Sequence, residues 1–334
     1  MNTHYPSTLP SPVTGEEAKP AASVTVSARL HLGFIDMHGG LGRRFGSIGL
    51  ALDSPCATIV ATQDADFQAD GVWAPRVLQY ARDFAQKAGI AGGAHFSVHG
   101  LIPRHAGLGS GTQMGLAVGS LLSALYGLGL TVQQIAAITE RGARSGIGIG
   151  AFEHGGLLVD GGRGVDTVVP PILARMDFPA EWRVLLVMDD SLAGVHGAEE
   201  VAAFNMLPEF PAQQAARIAH LTLMQLLPAL AEHDLPVFGA AVSEIQCIIG
   251  DYFAPAQGGG RYASPAVAAA MHWLEQRGIS CLGQSSWGPT AFAMFASETE
   301  AQQFLHQIQQ KYPELGYAVC GASNAGCVVD FCKD

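Results

Sequence analysis

Pro103-Arg104-His105-Ala106-Gly107-Leu108-Gly109-Ser110-Gly111-Thr112-Gln113 is the stretch on which the fold turns. The alternating run Ala94 to His99 before it reads as a strand, and the apolar, alanine-rich run Met114 to Leu125 after it has helical length. A glycine-rich loop therefore joins a strand to the first turn of a helix. The first amides of a helix have no partner inside it, and the helix dipole adds about half a positive charge there. Glycines let backbone N–H groups approach an anion closely, and Ser110 and Thr112 add hydroxyls for phosphate or a bound metal ion. Two readings follow: a phosphate or pyrophosphate cradle, or a tight turn with Ser110 as the helix N-cap. No Lys follows the last glycine, so the loop is not a Walker A loop.

Around this loop lie 334 residues, enough for two domains of about 150 residues each. Hydrophobic residues make up 49% and charged ones 14%, which predicts a large core and excludes a disordered chain. No apolar run reaches the ~18 uncharged residues of a membrane span, so no membrane partner is expected. The N-terminus shows no secretory pattern, and Cys56, Cys247, Cys281, Cys320, Cys327 and Cys332 form no Cys-x-x-Cys pair. Reduced thiols and a cytoplasmic location are expected, with no cysteine metal site. A net charge of -11 argues against nucleic acid. Of the 18 cationic residues, 14 are Arg and 4 are Lys, and no Lys falls in a glycine-rich motif. Any phosphate must then be held by Arg forks, backbone amides or metal.

In chain order, residues 1–22 read as a disordered tail. Ser23 to Leu32 alternates as a strand that places Arg29 and His31 on one face, with Asp36 in the loop beyond. Strands follow near Ile48 to Leu52 and Ala57 to Thr62, and Pro75 to Ala88 has helical spacing. Thr131-Val132-Gln133-Gln134 is a capping-box pattern for a helix through about Arg141. The glycine density of Ser145 to Gly150 argues against helix interior there. Leu157 to Asp160 is a strand bracketed by glycine pairs that serve either as turns or as points of ligand approach. A boundary near Pro170 to Glu181 separates an N-terminal domain, 23–175, from a C-terminal domain, 176–334. The second half runs strand, helices, strand, the loop Gln284-Ser285-Ser286-Trp287-Gly288-Pro289-Thr290, strand, helix and closing strands. That order fits a split β-α-β layer, so the fold class is α+β.

The loop at Pro103 to Gln113, the segment Ser27 to Asp36 and the loop Gly283 to Pro289 together resemble the three motifs of the GHMP kinase superfamily, over residues 23–331. Arg29-Leu30-His31-Leu32-Gly33-Phe34-Ile35-Asp36, Gly107 to Gln113 and Gln284 to Pro289 resemble most closely the β-ribofuranosylaminobenzene 5'-phosphate synthase family. The resemblance implies a ribosomal-protein-S5-domain-2-like N-terminal layer and a ferredoxin-like C-terminal layer. It implies condensation of phosphoribosyl pyrophosphate with 4-hydroxybenzoate or 4-aminobenzoate, loss of carbon dioxide and pyrophosphate, and a place in tetrahydromethanopterin-type cofactor synthesis. Mg²⁺ is expected, ATP is not, and a homodimer is expected. Departures from the kinase pattern favour the synthase: Gly111 stands where kinases usually carry a second Ser, Ser145 to Gly150 holds no acid, and the C-terminal loop carries Ser285, Ser286 and Trp287 instead of glycines. An ATP-dependent small-molecule kinase and a non-catalytic sugar-phosphate binder are the alternatives.

On this reading Asp36, Arg29 and Ser110 are the candidate catalytic residues, with Asp36 facing the sugar. Gly107, Leu108, Gly109, Ser110, Gly111, Thr112, Gln113, Arg104, His31, Ser285, Ser286 and Trp287 are the candidate substrate-binding residues, and Ser110 and Thr112 the candidate metal ligands. Arg43, Arg44 and Arg163 are further candidates for the 5-phosphate. Trp287 is either a wall for the benzoate or core packing. His31, His38 and His196 are candidates for contact with its polar edge, His38 and His196 being otherwise ordinary loop residues, and Asp160 and Asp166 are either site acids or turn formers.

Overall fold

The alternation at Ser23 becomes β1 (Ala21–Asp36), a 16-residue strand whose inward positions Val24, Val26, Ala28, Leu30 and Leu32 are buried. The protein is described here by a computed structural model covering residues 19–192, 194 and 206–332. Residues 1–18 of the expected tail lie outside it, and Ala21 and Ala22 already pair within the sheet. β1 runs antiparallel to β2 (Phe45–Asp64), in which the two strands predicted near 48–52 and 57–62 are one continuous element. The β1–β2 register shifts between Ser27 and Arg29 and again between His31 and Gly33. Such bulges re-aim side chains, and here they bracket Arg29 and His31.

β2 carries β4 (Gly93–Gly100) along one half and β5 (Leu157–Asp160) along the other. β3 (Gln68–Asp70) and β6 (Ile172–Met176) complete these two arms. Four helices cover this sheet: α1 (Ala74–Ala88), α2 (Ser110–Leu125), α3 (Val132–Ile138) and α4 (Ile147–His154). α2 is buried almost all round, between the sheet and its sister helices. The capping box forms at Thr131, but α3 stops at Ile138. Glu140 takes φ +55° and Arg141 N closes onto Ala136 O, a left-handed helix ending that releases Arg141 from the helix.

The expectation that Ser145 to Gly150 is not helical is overturned by α4, which contains Gly148 and Gly150. A Cβ on Gly148 would stand 2.9 Å from Thr112 Cγ2, and one on Gly150 2.7 Å from Ile172 Cδ1. Tertiary contact holds these residues helical against a cost of about 1 kcal/mol per glycine. Glycines 155, 156 and 162 resolve as points of close approach by other backbone: their Cβ positions fall on carbonyl oxygens of Ala325, Met176 and Arg44.

The second half opens with β7 (Arg183–Met188), whose Val184 to Val187 are buried on both faces as their continuous apolar run predicts. α5 (Ala212–Leu221) passes through a π-helical turn, Thr222–Leu226, into α6 (Leu227–Ala231). α7 (Leu235–Phe253), α8 (Pro265–Glu275), β8 (Leu282–Gln284), β9 (Ala291–Phe295), α9 (Glu298–Lys311) and β10 (Gly316–Cys320) follow. The sheet order is β10-β7-β9-β8, the split β-α-β arrangement. The last strand, β11 (Val329–Cys332), leaves this layer and pairs with β1, covering what would otherwise be an open edge of the N-terminal sheet. Among the described residues one helical run, Leu235–Ala256, is long and apolar enough to cross a membrane. Its Phe238, Val242 and Ile245 are core residues, and its Glu244 and Asp251 pair with Arg217 and Arg261.

Candidate active site

A cavity of about 460 Å³ opens where β1, the 103–111 loop, the chain before α1, the α3–α4 connection and the 285–288 loop meet. Its walls hold Arg29, Arg76, Arg104, Arg141 and Arg144 against a single carboxylate, Glu140, and no Lys among the described residues. Glu140 is itself paired with Lys87 at 2.6 Å. In a chain of net charge -11 this is a strongly cationic concavity, and a focused field of that sign attracts anions.

The 103–111 loop is built from both sides. Arg29 Nη1 donates to Gly107 O at 2.6 Å, and Arg29 N to Leu108 O at 3.0 Å. Ser285, fully buried, accepts from His31 N at 3.0 Å and donates to Gly107 O at 2.8 Å. One hydroxyl thus ties β1, the 103–111 loop and the C-terminal loop together. Gly107 and Gly288 meet backbone to backbone, and a Cβ on either would overlap the other loop. Gly109, φ +78°, is the N-cap of α2, and its missing Cβ leaves room for the Arg29 side chain 3.0 Å away. The N-cap reading of Ser110 therefore gives way. Ser110 is the first helical residue, and its hydroxyl bonds to no described residue and lines the cavity. Thr112 N and Gln113 N close onto Gly109 O, while Ser110 N and Gly111 N have no backbone partner among the described residues.

Several candidates lie elsewhere. Asp36 is outside the cavity: its Oδ1 accepts from His38 N and Gly39 N at 2.8 and 2.9 Å, fixing the turn after β1. Gln113 points away, its side-chain amide donating to Gly148 O at 2.8 Å to clamp α2 on α4. Arg43 donates to Gly161 O and Gly162 O, and Arg44 to Met37 O. Arg163 donates to Thr167 O and to Ala143 O, bracing the connection that carries Arg141 and Arg144. Asp160 accepts from Gly146 N and Gly162 N, both at 2.8 Å, and burial raises its pKa. It anchors the start of α4 and does not line the cavity. His38 sits 3.2 Å from Glu209, Asp166 is exposed, and His196 lies outside the described residues.

Arg104, His31, Ser286 and Trp287 do line the cavity. Arg104 lies over Trp73 at 5.4 Å. His31 is 5% exposed, and burial first, then Arg29 and Arg144, lower its pKa to about 3, so its ring is neutral at physiological pH. Trp287 is buried against Phe253, ring centroids 4.6 Å apart. Sequence reasoning missed Arg76, Arg141 and Arg144. Arg76 Nε donates to Tyr80 Oη at 2.9 Å, and the Arg76 and Arg141 guanidinium groups lie 5.5 and 5.1 Å from the Tyr80 ring centre. The Tyr80 hydroxyl and Arg141 in turn flank Gly111. The signal was present in Glu140-Arg141-Gly142-Ala143-Arg144-Ser145-Gly146, two arginines among glycines in a chain poor in cations.

Among the described residues no three His, Cys, Asp or Glu cluster as a metal cage. Mg²⁺ is usually held by one or two carboxylates plus substrate phosphates. The donor set here, Ser110 and Thr112 hydroxyls beside arginines, fits a cation that arrives on a diphosphate and does not fit one held by protein alone.

The GHMP kinases N terminal domain matches residues 76–156, and GHMP kinases C terminal matches 226–314. The beta-ribofuranosylphenol 5'-phosphate synthase of Archaeoglobus fulgidus is 36% identical over 321 residues, covering 91% of this chain and 97% of that protein. The one of Methanocaldococcus jannaschii is 32% identical over 330 residues, covering 90% and 97%. In solved structures the fold is shared with homoserine kinase from Cytophaga hutchinsonii, TM-score 0.64 at 15% identity, covering 96% of this chain and 100% of that one.

Proposed function

The chain belongs to the beta-ribofuranosylphenol 5'-phosphate synthase family, built on GHMP kinase domains, and from that premise we propose that it condenses phosphoribosyl pyrophosphate with 4-hydroxybenzoate, releasing carbon dioxide and pyrophosphate. The relatives' name specifies a phenol, the product that 4-hydroxybenzoate gives; 4-aminobenzoate would give an aniline. The observation that carries the reading is the five-arginine cavity at the N-terminus of α2, with one carboxylate and no Lys among the described residues. Phosphoryl transfer from ATP needs charge and a base placed around the transferred group. The cavity is instead furnished to hold a substrate that is anionic at both ends.

The ring carbon bearing the carboxylate attacks ribose C1 as the C1–O bond breaks, its electron pair leaving with pyrophosphate. The ring–carboxylate bond then breaks, its pair restores aromaticity, and carbon dioxide departs. No redox partner and no net proton are required. Ser110 N and Gly111 N, with Arg76 and Arg141 beside them, take the charge that develops on the leaving pyrophosphate. Arg104 and Arg144, both in the cavity lining, bind the 5-phosphate. Arg29 holds the loop that aims these amides. The hydroxyls of Ser110 and Thr112 would hold a Mg²⁺ bound together with the pyrophosphate, and the ion would neutralise part of the leaving group's charge. Asp36, turned into its own loop, takes no part, and the ring's electrons meet the developing positive charge at C1.

Carboxyl-labelled 4-hydroxybenzoate should release labelled carbon dioxide only when phosphoribosyl pyrophosphate is present, with no ATP consumed. Phosphorylation of a small metabolite by ATP, without decarboxylation, would sink the proposal. A C-riboside product accords with the tetrahydromethanopterin-type cofactor synthesis that the family resemblance implies.

A further inference from the structure

Behind the arginine cavity lies a second, much smaller chamber, and the two share His31, Phe34, Ser286 and Trp287. Its free volume is about 20 Å³, on the measure by which a single water needs about 10–15 Å³. It therefore takes one hydroxyl or amino group and not a ring. The chamber floor comes from α7, through Ile249, Gly250 and Phe253, so both domains build it. Its charge differs from that of the cavity in front. Arg261 is its one cation, and Asp251 holds that guanidinium through both oxygens, at 2.5 and 3.0 Å.

The polar lining is nearly all committed. Gln246 donates to Leu32 O and accepts from Gln284 N. Gln284 accepts from Ala263 N and donates to Gln257 and to Ser286 O. Gln257 donates to Gly260 O and Arg261 O. His31 is different: its Nε2 is buried and has no hydrogen-bond partner among the described residues. A buried polar atom without a partner costs free energy unless a ligand or water supplies one.

We infer that this chamber is the recognition pocket for the 4-substituent of the aromatic substrate, with His31 Nε2 accepting its hydrogen bond while the ring lies at the seam between Phe34 and Trp287. The inference rests on the synthase reading and deepens it. The carbon that attacks ribose C1 carries the carboxylate, so that end of the ring must face the arginine cavity. The 4-position is diametrically opposite and falls toward the chamber. A neutral imidazole acceptor selects a donor of hydroxyl or amino size, and the small volume excludes a methoxy group. His31 acts here as a specificity-determining residue. A site built to bond a substrate hydroxyl rejects analogues that lack it, because its own polar group is then left unpaired.

Equilibrium binding in the presence of ribose 5-phosphate and pyrophosphate separates the possibilities, using 4-hydroxybenzoate, unsubstituted benzoate and 4-methoxybenzoate on the whole protein. The wild type should prefer 4-hydroxybenzoate over both others by roughly ten-fold or more. His31→Leu should lose the preference over benzoate while binding benzoate and pyrophosphate as the wild type does, and His31→Gln should restore part of it. An unchanged preference in His31→Leu, or a wild type that binds benzoate and 4-hydroxybenzoate alike, overturns the pocket and leaves the synthase reading standing. A wild type that binds no benzoate overturns both. Should His31→Leu fail to bind pyrophosphate, His31→Gln decides: a preference for 4-hydroxybenzoate over benzoate smaller than the wild type's, with 4-methoxybenzoate still excluded, supports the pocket, and any other result overturns it.

Discussion

Two glycine-dense segments, 107–111 and 146–150, look alike as strings and work differently in space. In the first, Gly107 and Gly109 have φ near +79° and +78°, conformations that other residues avoid, and the loop opens onto a cavity. In the second, Gly148 and Gly150 are ordinary helical residues whose missing side chains let α4 press on Thr112 and Ile172. Glycine density reports close approach. Whether a ligand or the protein's own core approaches depends on backbone sign and on what stands opposite.

Substitution tests that contrast from the large end. Gly109→Val forces a branched side chain onto positive φ and into Arg29, so the loop cannot keep its amides aimed at the cavity. Loss of phosphoribosyl pyrophosphate binding is expected in calorimetry, with the fold retained by circular dichroism; normal binding would break the contrast. Ser110→Ala comes next. Because Gly109 is the N-cap, no cap is removed. Turnover should fall roughly 10- to 1000-fold through one lost transition-state donor, with an unchanged melting temperature. A lowered melting temperature with normal turnover would return Ser110 to a structural role. Gly150→Ala should do the reverse. Its new methyl meets Ile172 and Leu158, costing about 1–3 kcal/mol of stability by overpacking, while turnover of the folded protein stays near wild type.

A pH titration sharpens the contrast electrostatically. His31, held neutral by burial and by Arg29 and Arg144, titrates near 3 in the native state and near 6.5 when unfolded. Above pH 6.5 neither state binds the proton and His31 contributes nothing to the pH dependence. As pH falls from 6.5 toward 3 the unfolded chain gains a proton that the native protein refuses, so stability drops by about 1.4 kcal/mol per pH unit from this residue. Urea unfolding of His31→Leu between pH 6.5 and 4.5 should show a shallower decline than the wild type. Equal slopes would mean that the imidazole is solvated.

Much of the fold was legible because its signals are local. The alternation of Val24 to Leu32, the apolar run of β7 and the Thr131 capping box each predicted the element that forms. Of the cavity lining, the 107–112 loop, Arg29, Arg104, His31, Ser286 and Trp287 were already singled out in the sequence, and Ser285 ties the loops behind it, since loops between a strand and a helix carry their chemistry in their residue types. Asp36 and Gln113 were candidates by their place in the matched motifs and Arg43 by its type, and the structure shows each bonded to backbone groups. Residue type says what a side chain can bind, and only its neighbours decide what it does bind.

The sequence by itself determined the two-layer architecture, the glycine-rich loop at the start of a helix and the cationic choice of Arg over Lys, because periodicity, turn chemistry and composition are properties of short stretches. The tertiary structure alone decided that α4 is helical, that β11 closes the first sheet, that Arg76, Arg141 and Arg144 join Arg29 and Arg104, and that His31 lies buried and neutral between two cavities. Those outcomes depend on contacts between segments far apart in the chain, where burial and the approach of other charges outweigh what any local pattern encodes.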